Sequence, residues 1–268
     1  MQSGAVLSAE SLYVGRSISE AKKAAVVAGA DLYIASAGFG LVRSDESLPS
    51  YNVTVSDPSN PLSHALSRCG AAPSDWWVAL RRTGVAKRSL LELLAANPHS
   101  LLMLALPSTY LNLLGRELAQ VNQQDASRVR IVTAGVALSE LPEILRASVL
   151  PYDARLESVP GWSGTQGDFA QRACRHFIEV LQAHTLSLDD ARDLVSRYLG
   201  RFLKPERMSR ERADDEQIKS EIRSNWVRCG GGSAKLLRYL RDDRGVACEQ
   251  KRFQGLWRQI RTERGAKS

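Results

Sequence analysis

Three short, unbroken apolar runs, DLYIAS (31–36), LLMLAL (101–106) and VRIVTAG (129–135), alternate with stretches of helical spacing. That alternation most narrows what the chain can become. Each run is strand-length, and none shows the polar–apolar alternation of a strand with one wet face, so each reads as a strand covered on both sides. Helical spacing is read over 17–28, 74–82 and 86–96. It returns after Pro107, where Ser108 sits at an N-cap position ahead of Tyr110, Leu111, Leu114, Leu118 and Val121. The expected fold is α/β, a parallel or mixed sheet flanked by helices. In such sheets the ligand site lies beyond the carboxyl ends of the strands. The loops 38–51, 107–110 and 151–153 are therefore expected to gather there.

Beyond Thr165 the chain turns helical, with Phe169, Ala170, Ala173, Cys174, Phe177, Ile178 and Leu181 forming one apolar stripe. Ser187 is placed to cap the next helix. Asp168, three residues after Thr165, reads as part of a helix cap, and His176 beside the stripe as a hydrogen-bonded core histidine. The adjacent Trp76 and Trp77 cannot share one helical face, so one is expected in the core and one at its edge. The polar stretch 204–216 reads as a linker. It divides an α/β domain, 1–203, from a small helical domain, 217–268.

Charge is divided along the same line. From Arg201 onward there are 18 Lys and Arg against 10 Asp and Glu, a surplus of +8, whereas the whole chain carries +7. The first 200 residues are therefore close to neutral. A surplus confined to one quarter points to a polyanionic partner more than to general solubility. Three helices are read in that quarter. The first carries Ile218, Ile222 and Trp226 and stops at Gly230-Gly231-Gly232. The second, capped by Ser233, buries Leu236, Leu237 and Leu240. The third buries Phe253, Leu256, Trp257 and Ile260. Lys235, Arg238, Lys251, Arg252, Arg258 and Arg261 are the expected DNA contacts, on elements that fit a major groove. The pattern resembles a helix-turn-helix domain, with a longer connection over 242–248 and no wing after the third helix. RNA binding and a basic protein-contact surface are the alternatives.

The four cysteines, Cys69, Cys174, Cys229 and Cys248, contain no CxxC pair, and the four histidines show no ligand spacing. Neither a metal nor a cofactor is expected, and the cysteines read as reduced thiols of a cytoplasmic protein. No run is long enough for a membrane span, no secretory leader is read at the start, and no obligate protein partner is inferred.

The first loop, SAGFGLVRSDESLPSY (36–51), carries the chemistry-bearing residues. Gly38 and Gly40 allow a sharp turn and close approach to a ligand. Asp45 and Glu46 are the candidate catalytic carboxylates: an anion beside the sugar stabilises an oxocarbenium-like centre and orients water. Phe39, Gly40 and Tyr51, with Ser108, Tyr110 and Asp153 from the other loops, are the candidate base-binding residues. Two acidic residues in a turn also suit a solvated surface, Tyr51 also suits a core, and Asp153 with Arg155 also suits a structural pair.

The segment S-A-G-F-G-L-V-R-S-D-E with Pro49 and Tyr51 resembles a motif of uncharacterised α/β domains found near base-modification enzymes. Those domains are similar to the uracil-DNA-glycosylase-like fold, including the version within archaeosine synthase. In that superfamily a His-Pro-Ser segment follows a strand where this chain has Leu106-Pro107-Ser108, so the histidine has no counterpart. The whole arrangement, basic tail included, resembles bacterial anti-phage DNA glycosylases. That resemblance implies excision of glucosylated hydroxymethylcytosine from double-stranded phage DNA, leaving an abasic site. Residues 1–200 hold three lysines, Lys22, Lys23 and Lys87, none of them in the pocket loops. Attack by water is therefore expected rather than a Schiff base. The rivals are a nucleotide-sensing DNA-binding regulator without catalysis and an RNA base-modification enzyme.

Overall fold

The computed structural model describes residues 6–51, 53–55, 61–134, 138–205 and 211–265. The chain divides into two units, Met1–Pro205 and Glu206–Ser268, and the fold is mixed α/β. In order, the first unit contains β1 (Val6–Ser8), α1 (Ala9–Leu12), α2 (Arg16–Ala28), β2 (Tyr33–Ser36), β3 (Gly40–Arg43) and β4 (Ser47–Pro49). Then come α3 (Pro61–Arg68), α4 (Pro73–Arg82), α5 (Leu90–Ala96), β5 (Leu102–Ala105), α6 (Ser108–Leu113), α7 (Gly115–Leu118), α8 (Gln123–Ser127) and β6 (Val129–Val132). It closes with α9 (Glu143–Arg146), α10 (Phe169–Glu179) and α11 (Leu188–Leu199).

The second and third apolar runs pair in parallel, Leu102 opposite Val129 through Ala105 opposite Val132, with α6 to α8 forming the crossover that a parallel pair requires. A further parallel bridge joins Ile131 to Val149. Successive residues of β5 feed two cores. Leu102 and Leu104 pack with Trp77, Leu90, Leu111 and Ile131, whereas Met103 and Ala105 pack with Val132, Phe169, Ala173 and Phe177. The α10 stripe supplies the second core and lies against α2. There Arg175 bridges Glu20 at 3.0 Å and its own-helix Glu179 at 2.5 Å.

The first apolar run departs from expectation. β2 pairs antiparallel with β3, Tyr33 opposite Arg43 through Ser36 opposite Gly40. Among the described residues the strands pair only two by two. The glycine-bearing loop is therefore a hairpin turn, not the carboxyl end of a parallel strand. Gly40, at φ +73°, makes the reversal, and Val42 joins Ile34 and Leu48 in a small separate core.

Helix starts also shift. The stretch 86–96 becomes helical only at Leu90, because Ser89 and Glu92 form a capping box there. Pro107, not Ser108, occupies the N-cap of α6. Ser187 caps α11 as expected, accepting from the Asp190 amide. Asp168 accepts from the backbone and hydroxyl of Thr165 and from Arg172, the capping role read for it. His176 bonds Tyr152 at 2.8 Å inside the core. Trp77 is buried, while Trp76 sits at the core's edge and donates to Ala37 O at 2.7 Å.

The second unit contains β7 (Glu211–Arg212), α12 (Asp215–Asn225), α13 (Ser233–Arg238), β8 (Val246–Ala247) and α14 (Gln250–Gly265). Ile218, Ile222, Leu236, Leu240, Phe253, Leu256 and Ile260 form its core. The expected linker 204–216 is corrected at its far end. Glu211–Arg212 pair in parallel with Val246–Ala247, and Asp214 caps α12 in a capping box with Gln217. Gly232 rather than Ser233 stands at the N-cap of α13. No helix among the described residues is long and apolar enough to cross a membrane.

Candidate functional site

The turn between β2 and β3 is organised around the hydroxyl of Ser36. Its Oγ accepts from the amides of Gly38 and Phe39 at 3.2 and 3.0 Å and bonds Tyr51 OH at 2.6 Å. Tyr51 OH also bonds Tyr13 OH, and the Phe39 ring stands edge-on to Tyr51 at 4.9 Å. Tyr110, from the second loop, shares a hydrogen bond with Thr54 and packs on the core that Ala35 and Leu41 of the hairpin also join. Burial pushes the hydroxyls of Tyr13 and Tyr110 above the usual phenol range, so both remain protonated at neutral pH. The first two loops therefore do meet, in a half-buried cluster of hydroxyls with aromatic walls. Tyr13 is a member that sequence reasoning missed; it lies in a segment with neither periodicity nor motif.

Gly40 makes the expected turn, but the space beside both glycines is filled. A Cβ on Gly38 would fall 2.6 Å from Tyr51 Cε2, and one on Gly40 would overlap the Ala86 side chain. Their missing side chains make room for the protein's own residues rather than for a ligand. Ser108 is half-buried at the start of α6.

The two carboxylates have different surroundings. Asp45 is 68% exposed and lies 3.4 Å from Arg43 in the β3–β4 turn. Glu46 is 13% exposed and held by Lys87 Nζ at 2.8 Å and Arg88 at 2.5 Å. Partial burial opposes its ionisation, but hydrogen bonds and charge from Lys87 and Arg88 outweigh that and hold its carboxyl below the ordinary value. Lys87 is thus a correction: the structure brings an amine to the first loop, engaged in an ion pair. Asp153 lies elsewhere. It accepts from the backbone and Nε of Arg155 at 3.0 and 2.8 Å and pairs with Lys204 at 3.2 Å, so its carboxylate is committed to a structural set.

Two further residues sit at the carboxyl ends of the parallel pair. Gln171 of α10 donates to Ala105 O at 2.8 Å, which leaves its Oε1 buried. Thr133, 7% exposed, follows the last residue of β6. Neither Gln171 Oε1 nor Thr133 Oγ1 has a hydrogen-bond partner among the described residues. Buried polar atoms of this kind call for an explanation, and strand ends are where α/β sheets hold ligands. Sequence reasoning placed the ligand loops there but singled out neither residue.

In the second unit, packing sorts the cations. Arg223 pairs with Glu263, Arg244 with Glu221, and Lys219 with Glu216. Arg252 pairs with Asp215 at 2.6 Å and donates to Ala213 O, so it ties α14 to the start of α12 instead of standing ready for DNA. Lys235, Arg238, Lys251 and Arg258 are exposed and have no ion pair among the described residues. Arg261 lies over the Trp257 ring, which stacks on Trp226 at 6.1 Å, and Arg264 lies over Trp226. A hollow of about 330 Å³ between α13 and α14 is lined by Arg238, Gln250 and Gln254 among others. Among the described residues no cluster of His, Cys, Asp or Glu is arranged to hold a metal ion.

No protein-family model, curated protein or solved structure matches the chain.

Proposed function

We propose that the chain is a monofunctional DNA glycosylase. It excises a modified base from double-stranded DNA by hydrolysis of the N-glycosidic bond, leaving an abasic site. The base is the glucosylated hydroxymethylcytosine of phage DNA, and the role anti-phage defence. The observation that carries the reading is the meeting of the first two loops at Ser36, Tyr13, Tyr51 and Tyr110. Aromatic faces and neutral hydroxyl donors are what an extruded base needs. Glu46, held ionised by its two cations, fits the stabilisation of positive charge at the sugar and the orientation of water. Asp45 is the more solvated of the pair. The helix-turn-helix-like second unit grips the duplex through Lys235, Arg238, Lys251, Arg258 and Arg261.

A second reading, a nucleotide-binding regulator without catalysis, draws on the filled space beside Gly38 and Gly40 and the full pairing of Glu46. One experiment separates them. Purified protein is incubated with phage DNA carrying the modified base and with unmodified DNA, then heated in alkali. Strand breaks in the modified DNA that disappear in Glu46→Gln or Asp45→Asn support the glycosylase. Intact DNA throughout, with tight binding, supports the regulator.

A further inference from the structure

α14 contains a glycine that the fold does not use. Gly255 lies in the interior of this helix, where glycine is less favourable than alanine. Two other glycines have an internal reason: Gly38 makes room for Tyr51, and Gly231 for the ring of Trp226. A Cβ on Gly255 would meet nothing within 4 Å. The position is exposed, and Phe253, Leu256 and Ile260 occupy the buried side of the helix. At 100° per residue, Lys251, Arg258 and Thr262 share the outward face with Gly255.

That face differs from its neighbours in charge. The flank carrying Arg252 and Glu263 is neutralised by Asp215 and Arg223 of α12. Lys251 and Arg258 have no ion pair among the described residues and stand on either side of Gly255, seven residues and about 10 Å apart along the axis. Between them the helix surface carries Gly255, with no side chain, on one flank and Gln254 on the other. Beside them lies the hollow lined by Gln250, Gln254, Arg238, Arg241 and Asp242. A concavity one side chain deep, bracketed by two available cations, is complementary to a chain of phosphates with a bulky sugar between them.

We propose that Gly255 is the point of closest approach between α14 and the sugar–phosphate backbone of duplex DNA, with Lys251 and Arg258 contacting the flanking phosphates. This rests on the reading that the second unit binds DNA, and adds which face does so and why glycine stands there. A helix-weakening residue is then retained for contact, so stability and affinity must move in opposite directions when it is replaced.

The test uses the full chain, a duplex of mixed sequence, and the variants Gly255→Ala, Gly255→Leu, Lys251→Ala and Arg258→Ala. Gly255→Ala favours the helix, so it is expected to raise the melting temperature by roughly 2–6 °C while weakening DNA binding several-fold. Gly255→Leu is expected to weaken binding by tenfold or more. Neither changes the slope of log affinity against log salt, because no charge is removed. Lys251→Ala and Arg258→Ala each lower that slope by about 1. DNA binding by the unaltered chain that survives Gly255→Leu at full strength overturns this inference alone. An unaltered chain that does not bind duplex DNA overturns the reading beneath it as well. Tighter binding of RNA than of the DNA duplex overturns the commitment to DNA.

Discussion

Replacing Gly38 with alanine tests whether the first loop's glycine serves packing or ligand approach. The added Cβ would lie 2.6 Å from Tyr51 Cε2 and 2.8 Å from Cδ2, against an ordinary contact of 3.4–4 Å. The ring has little freedom to withdraw. Its hydroxyl is tied to Ser36 and Tyr13, and one face meets the edge-on ring of Phe39 at 4.9 Å. Over-packing of this size costs about 1–3 kcal/mol, which in a unit of about 200 residues lowers the melting temperature by roughly 2–12 °C. Urea unfolding of Gly38→Ala, Tyr51→Ala and the double variant isolates the pair. With the ring gone, the three nearest atoms to the alanine methyl are removed, so the cost of Gly38→Ala should largely vanish, giving a coupling energy of about 1–3 kcal/mol. The reasoning fails if Gly38→Ala leaves stability unchanged, or if it costs as much in the Tyr51→Ala background as in the native one. Unchanged stability together with lost base release would restore the ligand-approach role.

Three other perturbations follow from the same geometry. Burial holds the His176 imidazole down at about 4, while the unfolded chain takes up the proton near 6.5. Its contribution is therefore complete above pH 6.5 and lost as pH falls towards 4, about 3 kcal/mol over that window. Unfolding measured across the window should show the slope, and His176→Asn should flatten it. Gly231→Ala meets two obstacles, a φ of +67° and a Cβ 2.9 Å from the Trp226 ring. The expected loss of about 2–5 kcal/mol is comparable to the whole stability of a unit of about 60 residues. Circular dichroism should then show the unit partly unfolded at room temperature. Arg252→Ala should leave the salt slope of DNA binding unchanged while lowering stability, because its guanidinium is engaged with Asp215 and Ala213 O. A drop in slope equal to that of Arg258→Ala would show that the ion pair opens for DNA.

The parallel pair was legible because LLMLAL and VRIVTAG are both long enough to show apolar continuity and pack against a core on each face, so their composition carries the pairing. The hairpin was not legible. Its second strand, Gly40–Arg43, is a single short tetrad beginning with the glycine that reverses the chain, and a glycine after a strand equally marks a strand's end. The hydroxyl cluster was half legible. Tyr51 and Tyr110 stand in segments that the sequence singled out, though the first follows a hairpin and Tyr110 lies in the first turns of α6, whereas Tyr13 stands beyond the end of α1, whose Ala9 N donates to Glu46 O. The carboxylates show the same limit. Asp45 and Glu46 are neighbours of one chemistry, and they separate into an exposed and a paired group only because Lys87 and Arg88 arrive from the approach to α5.

Charge in the second unit carries that point furthest. Net charge adds along the chain without regard to structure, so the surplus beyond residue 200 is certain from the sequence. Helical periodicity adds a little more. With Phe253, Leu256 and Ile260 inward, Arg258 must point out, whereas Arg252, six residues earlier and about 240° away round the axis, must lie on a flank. What stands against that flank is decided by α12, whose Asp215 has no sequence relationship to Arg252. The phosphate-binding capacity of a basic helix is therefore set by the cations its own neighbours leave uncompensated, and a bare position such as Gly255 counts for binding only where it lies among those.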